Sequence, residues 1–149
     1  MKGFKVDREK KNPRKKDQGK KVCKEEIIAE AFKLHSQGDI IKAAKCYQYF
    51  LDKGFTDPRV FSNYGSILID LDKLKEAELL IRKAINLMPE FPQAHLNLGA
   101  ILKKLRKEKE AESVIRKAIE IKPDFAEAHF NLGRILHSMG QLEEAELSL

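Results

Sequence analysis

One short pattern recurs along this chain at a fixed spacing of 34 residues. An asparagine, a tyrosine or leucine, and a glycine stand together three times, and the glycines are Gly65, Gly99 and Gly133. Alanine returns in the same register at Ala77, Ala111 and Ala145, and proline returns at Pro89 and Pro123. Repeats of this period are typical of solenoids, in which each unit packs mainly on its neighbours. The sequence therefore predicts a stack of similar units.

Each unit carries two apolar stripes separated by a polar turn. In residues 58–91, Tyr64 and Leu68 belong to the first stripe, and Leu74 and Ile81 belong to the second. Spacings of three, four and seven residues place such side chains on one face of a helix. We therefore expect an all-α solenoid of helix-turn-helix units.

Several residues indicate where these helices begin and end. Pro58 and Pro92 suit the first helical position, where a missing N–H costs nothing. Pro89 and Pro123 stop the preceding helices.

Asp124, followed three residues later by Glu127, resembles a capping box and predicts a helix start at Asp124.

The repeated glycines need a reason to lie inside helices. Each costs about 1 kcal/mol there relative to alanine. We expect the compensation to be a close approach of the two helices of a unit at Gly65, Gly99 and Gly133, with the repeated alanines opposite.

The register divides the chain into a tail and four units. The tail is residues 1–23, and the units are residues 24–57, which are degenerate, 58–91, 92–125 and 126–149. The fourth unit is expected to form a first stripe and then a second helix that stops partway. Its first stripe is Phe130, Leu132, Gly133 and Leu136, and its second is Leu142 and Ala145. The last helix leaves Leu142, Leu147 and Leu149 without a covering partner. This predicts a fragment of a longer array, a decayed gene product, or an end that a partner or a second copy covers.

Charge is distributed unevenly along the chain. The net charge is +6, but residues 1–24 hold nine Lys and two Arg against three acidic residues, so they carry +8 and the remainder carries −2. The tail has too few apolar residues to offset its ordering entropy and is expected to be disordered. It either keeps the chain in solution or contacts nucleic acid or an anionic membrane.

No pattern for catalysis or cofactor binding stands out. The two cysteines, Cys23 and Cys46, lack the paired spacing of a zinc site and suit a reducing cytoplasm.

The histidines give no metal site either. His35 and His137 lie three periods apart, which is too far to share a metal, and His95 and His129 are expected to pack. We therefore expect no enzyme activity, no cofactor, no metal and no small-molecule substrate.

The repeated columns resemble the tetratricopeptide repeat, whose pattern has an aromatic residue, Leu-Gly, a second aromatic, Ala, a third aromatic and Pro at fixed places. The resemblance covers residues 24–149 and departs from the pattern in the first unit, where Phe50 and Phe55 replace the small residue and Pro. It implies a right-handed superhelix whose first helices line a concave groove for an extended peptide or a partner helix.

Carried over by column, the resemblance implies a set of groove residues. The three asparagines would form a ladder that pairs with a peptide backbone, as in the repeats of O-GlcNAc transferase, or would pack locally. The carboxylate-clamping, chaperone-tail type of repeat is a poorer match in its key columns. The implied groove residues are Arg59, Ser62, Asn63, Ser66, Ile69, Asp70, Gln93, Leu96, Asn97, Ala100, Lys103, Lys104, Glu127, Phe130, Asn131, Arg134, His137 and Ser138.

These features favour a protein interaction scaffold in the cytoplasm with a protein or peptide ligand. One alternative is the substrate-recruiting segment of a longer glycosyl-, sulfo- or methyltransferase. A second alternative is an adaptor that binds nucleic acid or a membrane surface through the basic tail.

Overall fold

The computed structural model describes residues 23–147 of the chain, and side chains of residues 23–140. Within that range the secondary structure is seven α-helices with no strand. The predicted all-α fold is confirmed. The predicted tail, residues 1–23, lies outside the described residues except for Cys23. The helices are α1 (Lys24–Ser36), α2 (Ile40–Asp52), α3 (Pro58–Asp70), α4 (Leu74–Leu87), α5 (Pro92–Lys104), α6 (Glu108–Ile121) and α7 (Ala126–Leu147).

The helices pack as successive pairs. α1 packs on α2, α3 on α4 and α5 on α6, while α3, α5 and α7 also contact one another in sequence. The odd-numbered helices therefore form one layer and the even-numbered helices form the other, as the 34-residue register requires. Of the helices within residues 23–147, none is long and apolar enough to cross a membrane.

Two apolar clusters hold the layers together. The first unit has an aromatic core, in which Tyr47 and Phe50 are fully buried. From the second unit onward the core is aliphatic and includes Ile81 and Ile115, each fully buried. Tyr64 packs against both clusters and so joins them. Each unit thus buries its apolar face against its neighbours, and no unit has a core that is wholly its own.

The turn inside each of the first three units has the same backbone. Gly38, Asp72 and Arg106, at the same place in each turn, have φ angles of 78°, 59° and 61°. The next residue donates its N–H to a carbonyl five residues back in every case, as Lys73 does to Leu68 at 2.9 Å. Such left-handed closure satisfies carbonyls that a helix end leaves without partners.

The glycines of the second and third units mark close helix contacts, with an alanine opposite as expected. A Cβ built on Gly65 would lie 3.6 Å from the carbonyl oxygen of Ala77, and Ala77 is fully buried. The same Cβ would lie only 2.5 Å from Ile81 Cδ1, and a Cβ on Gly99 would meet Ile115 in the same way. The isoleucine contact was not predicted, and it is the tighter of the two.

Helix starts follow the prolines more closely than the acidic residues. Pro58 and Pro92 begin α3 and α5, as predicted. The capping box is wrong, because α7 begins at Ala126 and the residue before it is Phe125 rather than Asp124. The side chain that caps α3 is Asp57, which accepts hydrogen bonds from two backbone N–H groups of its first turn.

The fourth unit departs most from the expected helix-turn-helix. α7 runs without a break from Ala126 to Leu147, through the position where the preceding units turn. Phe130 and Leu136, expected in a buried stripe, are 65% and 42% exposed, and Gly133 is exposed. The expectation is wrong because the described side chains of residues 23–140 include no second helix packed on this face of α7.

Candidate peptide-binding groove

The odd-numbered helices present equivalent residues along one surface. Asn63, Asn97 and Asn131 lie on α3, α5 and α7 at one helix position, and each is half-buried. A half-buried amide is held by its surroundings and still reaches solvent. We call these three equivalent positions on successive odd-numbered helices the asparagine row.

Asn97 makes hydrogen bonds within the protein. Asn97 Nδ2 donates to Ser62 Oγ on the preceding unit at 3.3 Å, and Asn97 Oδ1 accepts from Gln93 Nε2 at 3.2 Å. Burial raises the pKa of Tyr47, and Asn63 nearby partly opposes that change. The bonds of Asn97 fix its amide orientation across the joint between two units. An amide has further lone pairs and N–H groups, so a ligand can still bind.

Arg59 is tied to the start of its own helix. Its guanidinium donates to Asp57 Oδ2 at 2.9 Å and lies 5.5 Å from the centre of the Phe32 ring. Burial alone would raise the pKa of Asp57, but the hydrogen bonds from the side chain and backbone of Arg59 outweigh it, so the pKa lies below its usual value. Arg59 is therefore an exposed groove residue whose charge is already partly neutralised.

A second basic group lies further along the groove, on α5 and α7. Lys103 is half-buried, and burial followed by the nearby Arg134 lowers its pKa, while Glu108 opposes the change. Like charges that disfavour one another indicate a site that an anion would stabilise. The exposed ring of Phe130 lies 5.7 Å from the Arg134 guanidinium. We call Lys103, Arg134 and Phe130 the basic cluster.

The other residues implied to line the groove include both exposed and buried side chains. Lys104 is exposed, with its Nζ 3.9 Å from Asp72. Ser66 is half-buried and His137 is exposed. Three further residues implied by the resemblance are buried between helices and do not line the groove, because side chains at their positions face a neighbouring helix. They are Ser62, Leu96 and Ile69.

A cavity at the first-unit end of the groove was not predicted from the sequence. It has a volume of about 310 Å³ and is lined by Phe32, His35, Ser36 and Asn63. His35 Nδ1 shares a hydrogen bond of 3.1 Å with the buried hydroxyl of Tyr47, which holds the imidazole at the rim. The one available signal was the excess of aromatic residues in this unit.

His95 is buried, as expected, whereas His129 is exposed. His95 Nε2 donates to the carbonyl oxygen of Pro89 at 2.7 Å, and His129 makes the same bond to Pro123. Each imidazole therefore joins the start of one unit to the loop that ends the unit before. Among residues with described side chains, no three His, Cys, Asp or Glu side chains are grouped so that they could hold a metal ion.

Comparison with known sequence families gives three matched segments. A profile described as tetratricopeptide repeat matches residues 58–91 and 92–125, and a second profile of the same description matches residues 114–146. The matched residues cover more than half of the chain. A comparison with curated protein sequences finds no match.

Comparison with solved structures returns many similar chains. The first TPR of Spaghetti (RPAP3), bound to HSP90 peptide SRMEEVD, is 25% identical with a TM-score of 0.71, over 82% of this chain and 99% of that one. The MamA protein is 22% identical with a TM-score of 0.72, over 82% of this chain and 67% of that one. An O-GlcNAc transferase from Thermobaculum terrenum is 22% identical with a TM-score of 0.71, over 76% of this chain and 22% of that one.

Proposed function

This chain belongs to the tetratricopeptide repeat family, and we propose that it is a scaffold that binds an extended acidic peptide in the groove of its odd-numbered helices. The fold is typically a non-catalytic interaction module. The observation that carries the proposal is the basic cluster, in which a half-buried lysine and an arginine from successive units lie close together beside an exposed aromatic ring.

The charge of the basic cluster selects the class of peptide. Burial disfavours the charged form of Lys103, and Arg134 adds repulsion, so a carboxylate between them relieves both effects. Hydrogen bonds to charged groups contribute about 1.5–3 kcal/mol each. The peptide in the RPAP3 structure has three acidic residues in SRMEEVD, which supports a ligand of this class. Phe130 offers an apolar contact beside the carboxylate.

The asparagine row aligns the main chain of the ligand in this proposal. Asn63, Asn97 and Asn131 occupy the same position on successive odd-numbered helices, and their unused N–H groups and lone pairs match the donor and acceptor of a peptide unit. The basic cluster then fixes the direction of the peptide and supplies most of the affinity. The transferase-segment and tail-adaptor alternatives stay predictions.

Fluorescence anisotropy with a labelled unstructured peptide tests the charge requirement. An acidic peptide should bind, and its copy with Gln in place of every Glu should bind at least tenfold more weakly, since 1.4 kcal/mol corresponds to a factor of ten. The double variant Lys103→Gln/Arg134→Gln should show the same loss. Lys75→Gln/Lys83→Gln is the matched control, because it removes two exposed charges from α4 in the other layer. Equal losses in the two double variants would contradict a site at the basic cluster.

The triple variant Asn63→Ala/Asn97→Ala/Asn131→Ala tests the asparagine row separately. Helicity should be retained while the affinity for both peptides falls by a similar factor, because main-chain pairing does not depend on peptide side chains. Unchanged affinity with intact circular dichroism would show that the amides serve only the joints between units.

A further inference from the structure

The two ends of the groove carry different chemistry in the same two columns of the repeat. Phe32 and Arg134 lie three periods apart in one column, and His35 and Lys103 lie two periods apart in the other. The groove therefore offers two rings at its first-unit end and two cations at its other end. A ligand that contacts both ends needs a different side chain at each.

The aromatic end contains the cavity of about 310 Å³ described above. Its lining residues, Phe32, His35, Ser36 and Asn63, come from α1 and α3, which are the first two helices of the groove. Ligand pockets in proteins have volumes of about 300–1,000 Å³, so this cavity is at the small end of that range. It is large enough for one large side chain of a ligand.

The rings beside the cavity form a connected group. Tyr47 is fully buried, and its ring centre lies 6.2 Å from that of Phe32 and 5.9 Å from that of His35. The hydrogen bond of 3.1 Å between His35 Nδ1 and the Tyr47 hydroxyl holds the imidazole in place. Aromatic rings in tilted or edge contacts attract one another beyond the area that they bury. The cavity wall is therefore already arranged to contact another ring.

The charge next to the cavity disfavours a basic side chain in it. The Arg59 guanidinium lies 5.5 Å from the centre of the Phe32 ring, so that ring already contacts a cation. A second cation beside it would be repelled by Arg59. Asp57 pairs with Arg59 at 2.9 Å, which reduces the attraction that Arg59 would otherwise exert on an acidic side chain. A neutral aromatic ring is the occupant that fits these surroundings.

We propose that this cavity receives an aromatic side chain of the same peptide whose acidic residue binds the basic cluster, an inference that rests on the proposed function. Between Phe32 and Arg134, the same column holds Ser66 and Ala100. These small side chains leave room for the peptide main chain to pass from one site to the other.

The separation of the two sites sets the spacing of the two peptide residues. The cavity lies between α1 and α3, and the basic cluster lies between α5 and α7, so the sites are two helix spacings apart. Packed helices have axes about 8–10 Å apart, which gives a separation of about 16–20 Å. An extended chain advances about 3.3 Å per residue, so the aromatic residue should lie about five or six residues from the acidic residue.

Fluorescence anisotropy with labelled Gly/Ser peptides tests this spacing. Each peptide carries two adjacent Glu and one Phe, separated by about two, six or ten residues and in both orders. At the separation of about six, in one of the orders, Phe should lower Kd by about tenfold relative to Ala at the same position. Phe at the short separation should give no gain, Leu should give a smaller gain than Phe, and Lys should give none.

Substitutions at the cavity test its location. Ser36 is exposed at the rim, so Ser36→Trp should fill the cavity and remove the gain of the Phe peptide over the Ala peptide. Ser113→Trp is the matched control, because it adds the same side chain at an exposed position on α6 in the other layer, and it should keep the gain. Phe32→Ala, with helicity checked by circular dichroism, should reduce the gain without adding a side chain.

The possible failures separate this inference from the proposed function. If the acidic peptides bind but Phe and Ala give equal affinity at every separation, the cavity is not a second anchor and the acidic-peptide site stands. A gain that does not depend on separation, or one that both Trp variants remove equally, would also overturn the inference. If none of the acidic peptides binds, the proposed function is wrong and this inference is wrong with it.

Discussion

The unit of α5 and α6 and the helix α7 begin with closely similar sequences but pack differently. Gly99 lies against Ile115, and the equivalent Gly133 is open. His95 is 9% exposed, whereas His129 is exposed although it keeps the same hydrogen bond. The comparison teaches that a repeat column specifies burial only when a neighbouring helix is present. Identical residues in the two regions should therefore respond differently to the same substitution.

The largest difference is expected for the leucines. Leu102→Ala should lower the free energy of unfolding by about 2–5 kcal/mol, because it leaves a cavity in the core. Leu136→Ala should cost less than about 1 kcal/mol, since the side chain is already 42% exposed. Urea denaturation followed by circular dichroism measures both. Similar losses for the two variants would mean that the Leu136 side chain is buried in solution.

The glycines should change stability in opposite directions. Gly99→Ala should cost about 1–3 kcal/mol, because the new Cβ would lie 2.5 Å from Ile115 Cγ1 and force the helices apart. Gly133→Ala should stabilise the chain by about 0.5–1 kcal/mol, because alanine raises helix propensity where a Cβ meets nothing within 4 Å. Thermal and urea unfolding of both variants check the two signs. A loss of stability for both would show that Gly133 is also crowded.

The histidines should differ by less. His95→Ala removes a mostly buried hydrogen bond to Pro89 and should cost about 1–2 kcal/mol. His129→Ala removes the same bond at an exposed position and should cost a few tenths of that value, because water replaces it. Each is compared with wild type by urea unfolding. A larger cost for His129 would contradict the burial difference.

The smallest expected effect is a pH dependence due to Lys103. The folded pKa of Lys103 is lowered, first by burial and then by Arg134, so between that value and the ordinary lysine pKa the unfolded chain binds more protons than the folded chain. Stability contributed by this group therefore rises as pH increases through that alkaline window. Lys103→Met should remove the rise, and Lys104→Met should keep it. The measurement is the free energy of unfolding of the three proteins across the window.

Much of the fold could be predicted because it depends on local chemistry repeated at a constant interval. The 34-residue register predicted the helical pairs, and Pro58 and Pro92 predicted two helix starts. The glycines correctly indicated close approach in the second and third units, but the tightest contacts, with Ile81 and Ile115, were not predicted. The crossing point of two helices depends on how side chains interdigitate, and a column of residue types does not give that.

The candidate site was predicted less completely. The positions of the three asparagines follow from the register, but the hydrogen bonds of Asn97 to Gln93 and Ser62 do not. The cavity beside Phe32 and the proximity of Lys103 to Arg134 depend on how one unit is rotated against the next. Spacing along a chain does not specify that rotation.

By itself the sequence determined the repeat, its period and the helical faces, because hydrophobic periodicity and glycine or proline backbone preferences act over a few residues. Only the tertiary structure decided which of the equivalent residues are buried. Gly140 shows the limit. The register places it at the turn position of Gly38, Asp72 and Arg106, yet it lies inside the helix Ala126–Leu147, because glycine permits a turn without requiring one.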